Sequence, residues 1–168
     1  IVLYFGRKNC KFSNKIKNFI NKKSQKFYYV ESSKMKEKIP KKFFKITYDY
    51  IFCFRSFYIL KKNLLQKVRK AAINFHPSPP EYRGPGGINY ALYNESKFFG
   101  STAHLINEKI DNGNIIDLKR FKIDKNSNIE KILFKTYVVT TNQAFFVINK
   151  KPTRQPKQDK NGTASANH

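Results

Sequence analysis

Cysteine is scarce in this chain of 168 residues, and so is negative charge. The two cysteines, Cys10 and Cys53, lie far apart with no histidine at metal-ligand spacing, which excludes a disulfide framework and a cysteine-based metal site. Buried reduced thiols are the expectation, and with them a cytoplasmic location. No apolar run approaches the roughly 20 residues that cross a bilayer, so no membrane-spanning helix is expected. The opening IVLYFG is too short for a signal peptide and lacks a cleavage pattern. Ile1 stands where a methionine would, inside an apolar run, so the chain reads as trimmed or incomplete at its start. Without a secretion signal, the Asn161-Gly162-Thr163 triplet carries no weight as a glycosylation acceptor.

Only 11 residues are Asp or Glu against 34 Lys or Arg, a formal net charge of +23. Such an excess suits a polyanion partner held through phosphate contacts. The lysines are scattered, however, with no long basic block and little arginine. Lys, Asn, Ile, Phe and Tyr are abundant together, as AT-rich coding sequence favours. Nucleic acid is therefore the weaker reading, and attraction of small anionic substrates the better one. Hydrophobic residues make up 40% and aromatic residues 15%, enough for one folded domain and too much for disorder along the whole chain.

The periodicities predict strands over 1–6, 26–32, 48–57 and 71–76. Helices are predicted over 13–24, with Ser13 as N-cap, and over 62–70, with Leu64, Leu65 and Val68 inward. Residues 33–47, Lys-rich and containing Pro40, read as a connector with at most one short helix. Beyond residue 87 the pattern predicts a helix over 88–94 and strands over 101–107 and 114–123. A last helix reaching about Phe146 opens on a Ser127–Glu130 capping box. Strand, helix, strand, repeated, is the pattern of a parallel sheet flanked by helices, an α/β fold of Rossmann-like type. The domain is expected over 1–149, with a polar, disordered tail over 150–168.

NFHPSPPEYRGPGG (74–87) departs from the rest, holding four of the seven prolines and three of the seven glycines. Alternate side chains of a strand share a face, so Asn74 and His76 point one way while Ile73 and Phe75 point into the packing. Pro77 ends the strand, placing the pair at a carboxyl end, where open α/β sheets bind ligands. An amide can donate to an oxygen that gains charge, and an imidazole exchanges protons near neutral pH. By spacing alone, a strand cap and a satisfied turn explain the pair equally well. Asp111, in KIDNGN, could orient the imidazole, although Asp also simply starts turns. His104 lies among apolar neighbours and reads as a satisfied core histidine.

NFHPSPPEYRG (74–84), GSTAHLIN (100–107) and KIDNGNII (109–116) together resemble the formyltransferases that use 10-formyltetrahydrofolate. The likeness extends to YDYIFCFRSF and to KKPTR (150–154). It implies that Asn74, His76 and Asp111 form a catalytic triad for acyl transfer to an amine, with no metal. It implies a folate site at Phe54, Arg55, Ser56 and Phe57, closed by Glu108 and Ile110. Pro79-Pro80, where other members carry Leu-Leu, resembles the sugar N-formyltransferases. Those act on nucleotide-linked amino-dideoxyhexoses destined for bacterial surface polysaccharides such as lipopolysaccharide O-antigen. A dTDP-type sugar at Tyr82, Arg83 and Tyr90 is the implied acceptor, and a homodimer the implied assembly. Too little chain follows the last predicted strand for the second domain of a methionyl-tRNA enzyme. Three features depart from the family: a half before Asn74 that is short, an abrupt start, and Ser101 in place of a common valine. Purine-precursor or methionyl-tRNA formyltransferases, a formyltetrahydrofolate hydrolase and a basic nucleic-acid-binding protein are the alternatives.

Overall fold

The structure is a computed structural model and describes residues 1–107, 113–124 and 126–153. Six strands form one sheet in the order β2-β1-β3-β4-β5-β6. The strands β1 (Val2–Arg7), β2 (Phe27–Ser32), β3 (Tyr48–Phe54) and β4 (Val68–His76) run parallel. β5 (Phe98–Leu105) and β6 (Ile115–Lys122) continue the sheet antiparallel. The expected α/β architecture is thus present, mostly parallel, with its direction changing at β4.

Alternation along the central strands sorts their side chains into two cores. On one face Tyr4, Phe52, Phe54, Ile73 and Phe75 pack with Phe12, Ile16 and Ile20 of α1 (Lys11–Lys23) and with Ala144, Val147 and Ile148 of α4 (Ile129–Lys150). On the other face Leu3, Phe5, Ile51, Cys53 and Ala72 meet Phe43, Leu60, Leu64 and Leu65. Strands covered on both sides read as near-continuous apolar runs, which is why β1 and β3 are unbroken in sequence. α3 (Gly87–Tyr93) lies over a smaller cluster of Ile88, Ala91, Phe99 and Ile132. Cys10 and Cys53 are both buried thiols, and burial pushes the Cys53 thiol well up. No described helix is long and apolar enough to cross a membrane.

Three local expectations are corrected. Ser13 does not cap α1: the cap position is Cys10, and Ser13 is buried in the first turn. There its hydroxyl accepts from the Arg7 amide at 3.1 Å and lies 2.9 Å from the Tyr4 hydroxyl. The helix expected over 62–70 is the single turn α2 (Lys62–Leu65), because Val68 pairs with Tyr48 and opens β4. The Ser127–Glu130 box does not form either. Asn128 is the cap of α4, its Oδ1 accepting from the Lys131 amide at 2.9 Å, and the helix runs past Phe146 to Lys150.

Candidate active site

β4 is the last parallel strand, and its carboxyl end faces a turn that loops away and a strand that returns. Pro77 ends β4, and the Ser78 amide immediately donates to the His76 carbonyl at 2.8 Å. The Ser78 hydroxyl then donates to the Tyr82 carbonyl at 2.7 Å. Buried Thr102 on β5 donates to the Ser78 carbonyl at 2.8 Å. The proline-rich turn is therefore pinned to the sheet at Ser78 and closed on itself from Ser78 to Tyr82.

The antiparallel register puts Asn74 opposite His104 and His76 opposite Thr102. Asn74, His76 and His104 consequently converge. Asn74 Nδ2 lies 3.2 Å from His104 Nε2, and the two imidazole rings stand 6.5 Å apart, edge to face. His104 Nδ1 sits 2.9 Å from the Leu105 carbonyl, which can only accept. With Nδ1 protonated, the neutral ring presents Nε2 as an acceptor to the Asn74 amide. That bond holds the amide's Nδ2 toward His104 and fixes which end of Asn74 is the donor. His104 is buried and bonded, as expected of a core histidine, yet it lines the site beside Asn74.

A pocket opens on these residues, lined by His76, Pro80, Arg83, Thr102, His104, Gly113 and Ile115. His76 Nε2 lies 3.5 Å from the Tyr82 carbonyl. Arg83 holds its own turn through Nε to the Pro80 carbonyl at 3.2 Å and brings a cation to the pocket wall. Exposed Glu81 and Arg120 form an ion pair that ties the turn to β6; the Arg120 guanidinium holds the Glu81 carboxyl below its ordinary range. Gly113 is obligatory where it stands, since a Cβ there would land on the Leu105 carbonyl oxygen.

The other expected site residues fall variously. Asp111, Glu108 and Ile110 lie outside the described residues. Phe54 is fully buried, its ring edge-on to Tyr137, so its side chain belongs to the core. Arg55 has φ 54° and turns its guanidinium onto the Tyr137 ring, 4.3 Å from the centroid. Phe57 lies under Arg7 at 3.5 Å and its amide donates to Ser32 Oγ at 2.8 Å; Ser56 Oγ accepts from the Tyr58 amide at 3.1 Å. Tyr82 turns its ring to Phe99 and its hydroxyl to Ser96 Oγ at 2.5 Å, so it meets the site through its carbonyl. Tyr90 is 64% exposed on α3 and is not among the pocket-lining residues. His104 and Thr102 were the site residues that spacing missed. Their signal was the alternation in STAHL, which puts 102 and 104 on one face.

The profile of the formyl transferase family matches residues 4–147. A methionyl-tRNA formyltransferase of Finegoldia magna is 28% identical over 96 residues, 56% of this chain and 31% of its own length. The chain thus matches less than a third of that relative. A 4-N formyltransferase of Francisella tularensis superposes with a TM-score of 0.74 at 20% identity, over 96% of this chain and 74% of its own. The N-formyltransferase of Helicobacter canadensis, solved with folinic acid and dTDP-3-aminofucose, gives 0.73 at 18% identity, over 89% and 63%.

Proposed function

This chain belongs to the formyl transferase family, and from that premise we propose that it moves the formyl group of 10-formyltetrahydrofolate onto the amine of a nucleotide-linked amino-dideoxy sugar. The observation that carries the reading is that Asn74 and His76 share one face at the end of β4, Asn74 bonded to His104 and His76 lining a pocket with a cationic wall. Folate supplies an activated formyl carbon attached to nitrogen. The segment Phe54–Phe57 suits it through backbone groups only. Within and just after it, the Phe57 amide is already committed to Ser32 and the Tyr58 amide to Ser56.

As the acceptor nitrogen bonds to the formyl carbon, the carbonyl electrons move onto oxygen. Asn74 Nδ2 and protonated His76 donate to that oxygen. Collapse breaks the bond to the folate nitrogen, which takes the proton held by His76, and the imidazole is then reprotonated by the proton that the acceptor amine loses. The products are a formamide and tetrahydrofolate. By the family resemblance, the role of orienting His76 falls to Asp111. One oxyanion donor is worth about 3–4 kcal/mol and proton transfer roughly 10²–10⁴ in rate, sufficient for this chemistry.

The sugar assignment draws on the Pro79-Pro80 turn, which sets Pro80 and Arg83 against His76. Arg83 suits the phosphates of a nucleotide-linked sugar. The product fits surface polysaccharide synthesis. The curated sequence relative favours a second acceptor, methionyl-tRNA. A mass-spectrometric assay separates them: 10-formyltetrahydrofolate is offered with dTDP- and UDP-linked 3-amino and 4-amino dideoxyhexoses, and separately with methionyl-tRNA. One sugar gaining a formyl group, with loss of transfer in His76→Ala, is the expected result. Formylated tRNA, or formate released without an acceptor, would replace the sugar reading.

A further inference from the structure

Behind the carboxyl end of β4 lies a buried polar chain that no packing requirement explains. Gln143 projects from α4, among the core residues Ala144, Val147 and Ile148, and is 1% exposed. Its Nε2 donates to Asp117 Oδ2 at 2.8 Å and to the Asp117 carbonyl at 3.0 Å on β6. Its Oε1 accepts from the hydroxyl of fully buried Ser101 on β5 at 2.5 Å. The same hydroxyl lies 3.3 Å from the carbonyl oxygen of His76.

The orientation of the amide is forced. A carboxylate only accepts, so Asp117 must face Nε2, and Oε1 is left to face Ser101. Asp117 thus sets Gln143, Gln143 sets the Ser101 hydroxyl, and Ser101 sits against the residue that carries the imidazole. A leucine at 143 would fill comparable space without burying an amide, and buried polar groups cost stability unless fully paired. What the polar chain adds is direction: it fixes α4, β5 and β6 in one register behind the last residue of β4.

We infer that Ser101 and Gln143 are positioning residues for His76, holding its backbone so that the imidazole meets Asn74 and the pocket at one distance. This rests on the assignment of His76 to formyl transfer. Neither side chain touches the pocket or Asn74.

The test compares Ser101→Val, Ser101→Thr, Gln143→Leu and the Ser101→Val/Gln143→Leu double variant. Valine and threonine share a shape, so they differ at 101 only by the hydroxyl. The double variant removes both halves of the Ser101–Gln143 bond but leaves the Asp117 acceptors without their amide donor, so its melting is followed beside its kinetics. Ser101→Val is expected to lower kcat about tenfold with KM unchanged, Ser101→Thr to restore it, and the double variant to fold with a lowered melting temperature and stay about tenfold slow. Ring ¹H–¹⁵N spectra of His76 are read in parallel, with a changed or broadened signal expected in Ser101→Val and in the double variant. A double variant with wild-type kcat and an unchanged His76 signal would overturn the inference and leave only packing. If the native protein formylates none of the acceptors offered, the functional reading fails, and the His76 spectra decide the positioning role independently.

Discussion

Replacing Thr102 by valine keeps the shape of a buried side chain and removes one hydrogen bond. Thr102 is 3% exposed, as is Ser78, whose carbonyl accepts the Thr102 hydroxyl at 2.8 Å. The change therefore strands a buried carbonyl rather than exposing one to water, which costs about 1–3 kcal/mol. In a chain of this size each kcal/mol moves the melting temperature by roughly 2–4 °C, so a fall of about 2–12 °C is expected by calorimetry. Thr141→Val is the control. The Thr141 hydroxyl donates to the Tyr137 carbonyl within α4, a carbonyl that already carries its helical partner, so a change below about 0.5 kcal/mol is expected. Ser78 also donates to the Tyr82 carbonyl beside His76, so formyl transfer by Thr102→Val should fall as well. If the two variants melted together within about 1 °C, the pinning of the turn by Thr102 would be refuted.

Three further outcomes are expected. Asn74→Ala should lower kcat by about 10²–10³ while the protein still melts cooperatively, read by steady-state kinetics and thermal circular dichroism; retention of a tenth of the rate would exclude Asn74 as an oxyanion donor. Gly113→Ala should destabilise the fold or shift the segment around 113, because the new methyl meets the Leu105 carbonyl; unchanged melting and unchanged transfer would contradict that crowding. Burial pushes the Tyr48 phenol, a donor to the Phe43 carbonyl, up to about 12. A group raised in the folded state contributes fully below its unfolded value near 10 and loses that contribution as pH rises towards 12, at up to about 1.4 kcal/mol per pH unit. Chemical denaturation at pH 9, 10.5 and 11.5 should show that decline, and the Tyr48→Phe variant a weaker one.

Where the fold was legible in sequence, a local pattern was sufficient. β1 and β3 announce themselves because a doubly covered strand must be apolar at nearly every position, and α1 because Ile16 and Ile20 repeat at helical spacing. Where the reading failed, the deciding partner was distant in sequence. Leu64, Leu65 and Val68 satisfy a helical face, but Val68 is taken by Tyr48 on the neighbouring strand. Ser13 has the chemistry of a cap, yet the Tyr4 hydroxyl and the Arg7 amide claim it. The Asn74–His76 pair was visible because the period of a strand is two and Pro77 marks its end. The alternation in STAHL shows that His104 shares a face with Thr102 but not which strand lies opposite; the antiparallel return of β5 is what brings it to Asn74.

The excess of positive charge acquires a physical role in the same way. With 11 acids for 34 bases, most cations of this chain have no carboxylate to pair with. Many lie over aromatic rings instead. Lys11 covers Phe134 at 4.8 Å, Lys150 covers Phe146 at 4.3 Å, and Lys17 covers Tyr29 at 4.7 Å. Phe134 and Phe146 are 53% and 43% exposed, so these ammonium groups sit over rings that would otherwise meet water bare. Each such contact is worth only about 0.5–1 kcal/mol at the surface, but it needs no acid. Lysine and phenylalanine enriched together thus act as a pair: the rings anchor the cations, and the cations keep the rings hydrated. Arg83, in contrast, brings its charge to the wall of the pocket beside His76.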